Sequence, residues 1–127
     1  ALIPNAGIFK FFSTPDAVST FSRGHAEKWK AQANYKTFWM SGVTPNMFLR
    51  SLPGPYNFIS LDAEGLSLEL LELMATAIAK CGWFKSLRLI CVEAEGEQRV
   101  KVSKLLKKAW DFFVIGETGE NIICGIP

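Results

Sequence analysis

The sequence predicts an α/β fold in which a mostly parallel sheet carries a C-terminal antiparallel hairpin strand. Strand-like and helix-like segments alternate from residue 56 onward, the order typical of parallel sheets covered by helices. The segment 87–92 is almost continuously apolar, as in a parallel strand covered on both faces. Two apolar runs near the end, 112–115 and 121–126, are separated by a glycine-containing turn and predict a hairpin.

The first 55 residues are irregular in pattern. The apolar run 8–12 predicts a strand. Thr14 and Thr44 are each followed by proline, which predicts two helix starts, and the second helix is short, over 43–52. The aromatic side chains of this region are expected in the core: Phe9, Phe11, Phe12, Phe21 and Trp39.

Residues 56–127 are regular. Residues 56–61 predict a strand, and helical spacing of apolar residues predicts helices over 66–80 and 97–110. Gly82 is expected to end the first of these helices. We therefore expect a single domain over 1–127, with an irregular part (1–55) and a strand-helix core (56–127).

Composition excludes several classes of protein. Hydrophobic residues make up 49% and charged residues 20% of 127 residues, which is globular rather than disordered. The net charge of +2 is too small to argue for nucleic acid or an anionic membrane as partner. Cys81, Cys91 and Cys124 are far apart and the only histidine is remote, so we expect reduced thiols, no metal-binding cysteine site and a cytoplasmic protein.

Carboxylates follow two consecutive predicted strands. Asp62 and Glu64 follow the first strand, and Glu93 follows the second. Parallel strands end at one edge of a sheet, where ligands bind, so these side chains are expected to lie together. One of them could act as a general base, or the group could bind a divalent cation. A structural alternative is that acids before a helix stabilise its N-terminal dipole.

Basic residues cluster with an aromatic residue between 23 and 30. Arg23, His25, Lys28, Trp29 and Lys30 could bind an anionic substrate, or could form a solvated helix face. No glycine-rich turn of the form G-x-G-x-x-G or G-x-x-x-x-G-K-[ST] occurs, and nucleotides need such a turn for close approach of the backbone. The chain by itself is therefore expected to bind nucleotides poorly.

A family resemblance follows from these motifs. The segment 58–65, Phe-Ile-Ser-Leu-Asp-Ala-Glu-Gly, precedes a leucine-rich helix and then Leu-Ile-Cys-Val-Glu at 89–93. This resembles the "IDVEG … VE" core of FkbM-type S-adenosylmethionine-dependent methyltransferases. The start of the chain, the segment 43–52 and the final strand pair also look similar, so the resemblance covers nearly the whole sequence. D-x-E-G between a strand and a helix is its most specific part.

The resemblance implies a partial class I methyltransferase (Rossmann-like) sheet without the first two strands, which carry the donor loop in the family. It implies S-adenosyl-L-methionine as cofactor and transfer of a methyl group to a hydroxyl of a small molecule or sugar. Asp62 and Glu64 are the expected catalytic residues, and Arg23, His25 and Glu93 the expected substrate-binding residues. Because the chain begins in an apolar run without methionine, we expect a fragment of a larger protein that is inactive alone.

Two other functions remain open. Asp62, Glu64 and Glu93 could be the metal ligands of a divalent-metal-dependent phosphotransfer or nuclease domain. Alternatively, the chain could be a non-catalytic interaction module, because a sheet without two of its strands exposes an edge that invites homo-oligomerisation.

Overall fold

The computed structural model describes residues 1–15, 18–52, 54–81 and 85–126, apart from the side chain of Cys81, so the predicted helix end at Gly82 lies outside the described residues. It is a mixed α/β fold with a two-stranded and a four-stranded sheet. The elements in chain order are β1 (Gly7–Ser13), α1 (Arg23–Lys28), β2 (Lys36–Gly42), α2 (Pro45–Ser51), β3 (Phe58–Leu61), α3 (Ser67–Cys81), β4 (Leu89–Glu93), α4 (Glu97–Trp110), β5 (Phe113–Glu117) and β6 (Asn121–Gly125).

One of the two predicted Thr-Pro helix starts is confirmed. Thr44 caps α2, where its hydroxyl accepts a hydrogen bond from the Met47 amide at 3.3 Å. The start at Thr14 is wrong, because Ser19 Oγ contacts both the amide and the carbonyl of Thr14 and Thr20 pairs with Phe12 in an antiparallel bridge, so no helix runs through residues 18–20; residues 16 and 17 lie outside the described residues. The helix begins at Arg23 instead, with Ser22 as its N-cap.

The four-stranded sheet has the order β3-β4-β6-β5. β3 and β4 are parallel, whereas β6 is antiparallel to both of its neighbours. The predicted antiparallel C-terminal strand is therefore confirmed, but its insertion between β4 and β5 was not expected. The predicted mostly parallel sheet is confirmed for strand directions, because β3, β4 and β5 run the same way, but of the hydrogen-bonded pairs only β3–β4 is parallel. β3 lies at an edge of the sheet.

The core lies where α3 and α4 pack on one face of this sheet. Alternate strand residues point to the same face, and the cross-strand pairs Ile90–Cys124 and Val92–Ile122 are buried there. The intervening residues Leu89, Cys91 and Ile123 are only partly buried. We predicted that this strand, β4, is covered on both faces, but only one of its faces is fully buried. The helix residues buried in the same cluster are Leu70, Leu71, Met74, Ala77, Ile78, Val102 and Leu106.

β1 and β2 form a separate two-stranded ribbon. β1 confirms the predicted strand at 8–12, but β2 was not predicted. Every residue of β2 except Gly42 is exposed, and Trp39 is 73% exposed, so its expected place in the core is wrong. A two-stranded ribbon has no second layer above its outer face, which leaves such side chains in solvent.

Two further observations concern thiols and membranes. Cys91 and Cys124 are free, and burial raises the pKa of the Cys124 thiol to about 11, with a smaller effect from Glu117. Among the residues that the structure describes, no helix has the length and apolarity needed to cross a membrane.

Leu106→Ala tests the position of the core. Leu106 is fully buried, so its truncation should lower the free energy of unfolding by about 2–4 kcal/mol through lost burial and a cavity. Val100→Ala, on the exposed side of the same helix, should change it by about 0.5 kcal/mol or less. Urea unfolding followed by circular dichroism measures both, and equal losses would contradict this packing.

Candidate functional site

Three carboxylates meet where the parallel strands end. Leu61 of β3 lies opposite Val92 of β4, so the chain leaves both strands at the same edge and the next residues are Asp62 and Glu93. Carboxylate oxygens of Asp62, Glu64 and Glu93 lie within 4.8 Å of one another. The expectation that these three side chains share one edge of the sheet is therefore confirmed.

A tight turn brings Glu64 back to this edge. The chain does not stay extended beyond Asp62, because Glu64 has φ 42° and Gly65 has φ 90°, both in the left-handed region. The Thr20 hydroxyl donates a 2.7 Å hydrogen bond to the Glu64 carbonyl and fixes the turn from the irregular part of the chain. The family resemblance puts Thr20 in a variable loop on the acceptor side and assigns it no role.

Ser67 connects the two strand ends. Its hydroxyl accepts a 3.0 Å hydrogen bond from the Ala63 amide and donates a 3.1 Å bond to Oε2 of Glu93. The side chain is buried, so these bonds orient the Glu93 carboxylate with little competition from water. Sequence reasoning missed this residue, because a serine at a helix start is ordinarily read as a cap for its own helix.

His25 lies against the same turn. Its Nε2 is 2.9 Å from Oε2 of Glu64, and the two side chains are 11% and 23% exposed. The two groups do not have the geometry of a hydrogen bond. They form an ion pair only when the imidazole is protonated. A Cβ on Gly65 would lie 3.2 Å from the His25 Cβ, which shows how closely α1 packs on the turn.

Glu64 has a perturbed acidity. Burial and, to a smaller extent, the negative charges of Glu93, Asp62 and Glu120 together raise its pKa to about 6, although Lys28 acts in the opposite direction. A carboxyl with this pKa changes its protonation near neutral pH. Glu64 is therefore suited to take up or release a proton during a reaction.

The carboxylates line a polar cleft of about 670 Å³. His25, Lys28 and Trp29 of the predicted basic segment also line it, but Arg23 is exposed and does not. Lys30 pairs with Glu27 at 3.6 Å, outside the cleft. The lining is predominantly acidic, so the structure does not support an anion site here. Its acidic residues are Asp62, Glu64, Glu93, Glu95, Glu97 and Glu120.

A second, apolar cavity of about 580 Å³ adjoins the first along the free side of β3. Phe11, Phe21 and Phe58 contribute to its walls. Asp62 and Glu64 line both cavities, so the carboxylates stand between a polar and an apolar space.

Comparison of the chain with models of protein families, with curated proteins and with solved structures found no match.

The raised pKa of Glu64 predicts a pH-dependent stability. The folded state binds this proton more tightly than the unfolded chain, whose carboxyl has the ordinary pKa of 4.5. The free energy of unfolding should therefore fall as pH rises from 4.5 through about 6, and Glu64→Gln should remove this fall.

At neutral pH, Glu64→Gln is expected to be more stable than the parent protein by about 1–2 kcal/mol. Urea unfolding below, within and above the window measures the effect. Glu72→Gln, on the exposed side of α3, is the matched control and should leave the profile unchanged. A parallel shift of both variants would show that the fall does not come from Glu64.

Proposed function

We propose that this chain is the acceptor-side part of an S-adenosylmethionine-dependent methyltransferase of the FkbM type, which methylates a hydroxyl of a small molecule or sugar. The observation that carries the proposal is the carboxylate cluster at the ends of two neighbouring parallel strands, with Glu64 at a pKa of about 6. The residues of this cluster belong to the D-x-E-G segment and to the acid after the following strand, on which the family resemblance rests.

The sheet supports the finer fold assignment, a partial class I methyltransferase (Rossmann-like) sheet. β3, α3, β4, α4 and β5 alternate, and β3, β4 and β5 run in one direction. β6 runs in reverse, as the C-terminal hairpin implied by the resemblance requires. In open sheets of this kind ligands bind outside the carboxyl ends of the strands, where the polar cleft lies.

The residues present do not form a cradle for adenosylmethionine, because no glycine-rich turn occurs in the sequence. The proposed chemistry of this chain is therefore on the side of the acceptor. Glu64, in its ionised form, accepts the proton of the acceptor hydroxyl and leaves an oxygen that can attack a methyl carbon. Burial and the negative charges of Glu93 and Asp62 favour transfer of that proton to Glu64, because they raise the pKa of the Glu64 carboxyl.

Positioning would contribute as much as proton transfer. Thr20 fixes the backbone of Glu64, and His25 limits the movement of its side chain. Ser67 orients Glu93 in the same way. Displacement at a methyl carbon depends strongly on alignment of the reactants, so these supporting contacts bear directly on the rate.

Methyl transfer by the protein from its complete reading frame tests the proposal. Labelled adenosylmethionine is supplied with a panel of sugars and polyketide-type alcohols, and transfer to a hydroxyl is measured. Glu64→Gln should lower kcat/KM by about 10²–10⁴, the usual contribution of a general base. Glu72→Gln is the control and should remain active. Full activity of Glu64→Gln would remove the proposed base, and failure of every hydroxyl acceptor would count against the whole proposal.

A second candidate function is a divalent-metal-dependent phosphotransfer or nuclease activity. It is favoured by one observation: the oxygens of Asp62, Glu64 and Glu93 lie close enough to share one cation. The acidic cleft would also offset the charge of such an ion. Here the three carboxylates act as ligands, and a metal-bound water, rather than Glu64, would supply the nucleophile.

Metal-dependent stabilisation separates the two candidates. If the cluster binds Mg²⁺ or Mn²⁺, saturating ion should raise the melting temperature by several degrees, and Glu93→Gln should abolish the rise. Glu95→Gln, whose side chain pairs with Lys28, serves as the matched control. An unchanged melting temperature at millimolar ion, with no hydrolysis of a phosphodiester substrate, would exclude the second candidate.

A further inference from the structure

The β1–β2 ribbon has one face that is exposed over most of its length, and only Phe12, at one end of it, is half-buried, where its ring lies edge-on to Tyr35. The register places Lys10 opposite Trp39 and Ile8 opposite Ser41, and directly opposite residues of an antiparallel pair point to the same side. We call this side the outward face, and it consists of Ile8, Lys10, Phe12, Thr37, Trp39 and Ser41. Trp39 and Ile8 are 73% and 71% exposed, the largest values among the exposed large hydrophobic residues that the structure describes.

The other side of the ribbon is attached to the rest of the chain. Phe11 packs against Phe21 with a centroid distance of 4.7 Å and a tilt of 45° between the rings, and both side chains line the apolar cavity beside β3. The ribbon is therefore oriented by its inner side, and the outward face is presented to the surroundings. An exposed tryptophan beside an exposed isoleucine and a lysine is costly in water unless another surface covers it.

The part of the chain that contains the ribbon has a net charge opposite in sign to that of the part that contains most of the acidic residues of the polar cleft. Residues 1–60 contain six basic and two acidic residues, whereas residues 61–127 contain eight basic and ten acidic residues. The two parts thus carry net charges of +4 and −2, which add to the net charge of +2 for the whole chain. The small total, from which no membrane partner was predicted, hides the positive charge of the first part. Neither β1 nor β2 contains an acidic residue, and Lys10 and Lys36 are exposed.

We propose that the outward face of the ribbon binds the surface of an anionic lipid bilayer. Tryptophan is favoured at the boundary between headgroups and acyl chains, where its ring is buried and its indole N–H remains hydrated. Ile8 adds apolar area beside it, and the aliphatic part of Lys10 packs along the same surface while its ammonium group reaches anionic headgroups. Lys36 is also exposed, but it lies opposite Ser13 on the other side of the ribbon, so Lys10 is the basic residue of the outward face itself.

A bilayer fits this face better than a second copy of the chain does. Twofold pairing of two outward faces would bring Lys10 close to its own equivalent, and like charges across an interface are destabilising. An anionic bilayer complements the apolar side chains and the positive charge at the same time. Binding would also place the acidic cleft of the same chain near the membrane–water boundary without requiring any contact with that cleft.

Sedimentation with lipid vesicles tests the proposal on the intact chain. Vesicles of equal parts phosphatidylcholine and phosphatidylserine should bind it, and vesicles of phosphatidylcholine alone should bind it several-fold less. Raising the salt concentration should weaken binding to the anionic vesicles, because screening shortens the range of the attraction. Trp39→Ser should weaken it about tenfold and Lys10→Gln about fivefold.

Two control variants distinguish binding by this face from nonspecific adsorption of the protein to vesicles. Ile115→Ser removes an apolar side chain of β5 that is 54% exposed, and Lys104→Gln removes an exposed lysine from α4. Both variants should bind like the parent protein. All substituted side chains are exposed, so melting temperatures should agree and loss of folding will not explain loss of binding.

Three results would overturn the proposal. The first is equal binding to neutral and anionic vesicles, and the second is equal losses in the ribbon and control variants. The third is a dimer in light scattering that Trp39→Ser dissociates while vesicle binding is absent, which would assign the face to a second copy of the chain.

Discussion

Parallel pairing of β3 with β4 is the constraint on which the candidate site depends. With Leu61 opposite Val92, the two strands deliver their following acids to one edge, and a shift of one residue would turn Glu93 to the other face. The pairing itself is fixed by burial of Ile90 and Val92 under α3 and α4. The chemistry at the edge therefore rests on the apolar core beneath it.

The cluster of carboxylates opposes folding, and the surrounding structure compensates for it. Three acids with oxygens within 4.8 Å repel one another, and partial burial together with this repulsion raises the pKa of Glu64. Ser67 and Thr20 provide hydrogen bonds that keep the turn and Glu93 in place despite this repulsion. Strain of this kind is typical of sites that are selected for reactivity rather than for stability.

The chain presents two surfaces of different chemistry. An acidic cleft lies at the strand ends, whereas the ribbon is basic and apolar on its outward face. α1 belongs to the cleft, since His25 contacts Glu64 and Lys28 pairs with Glu95 at 3.5 Å. The irregular part of the sequence thus contributes a wall of the cleft, from the segment 23–30 that its pattern marked as a candidate binding segment, and an exposed face that its pattern did not indicate.

The sequence by itself determined the features that depend on local pattern. The bounds of α4, the cap of α2, the strands of the core and the acids after β3 and β4 could all be read from periodicity, capping residues and the strand-end rule. Only the tertiary structure decided the insertion of β6, the exposed β2, the loop at Thr14, and the contacts of His25 and Ser67 with the carboxylates. These features arise from pairing and packing between segments far apart in the chain, and local propensity carries no information about which distant segment will be the partner.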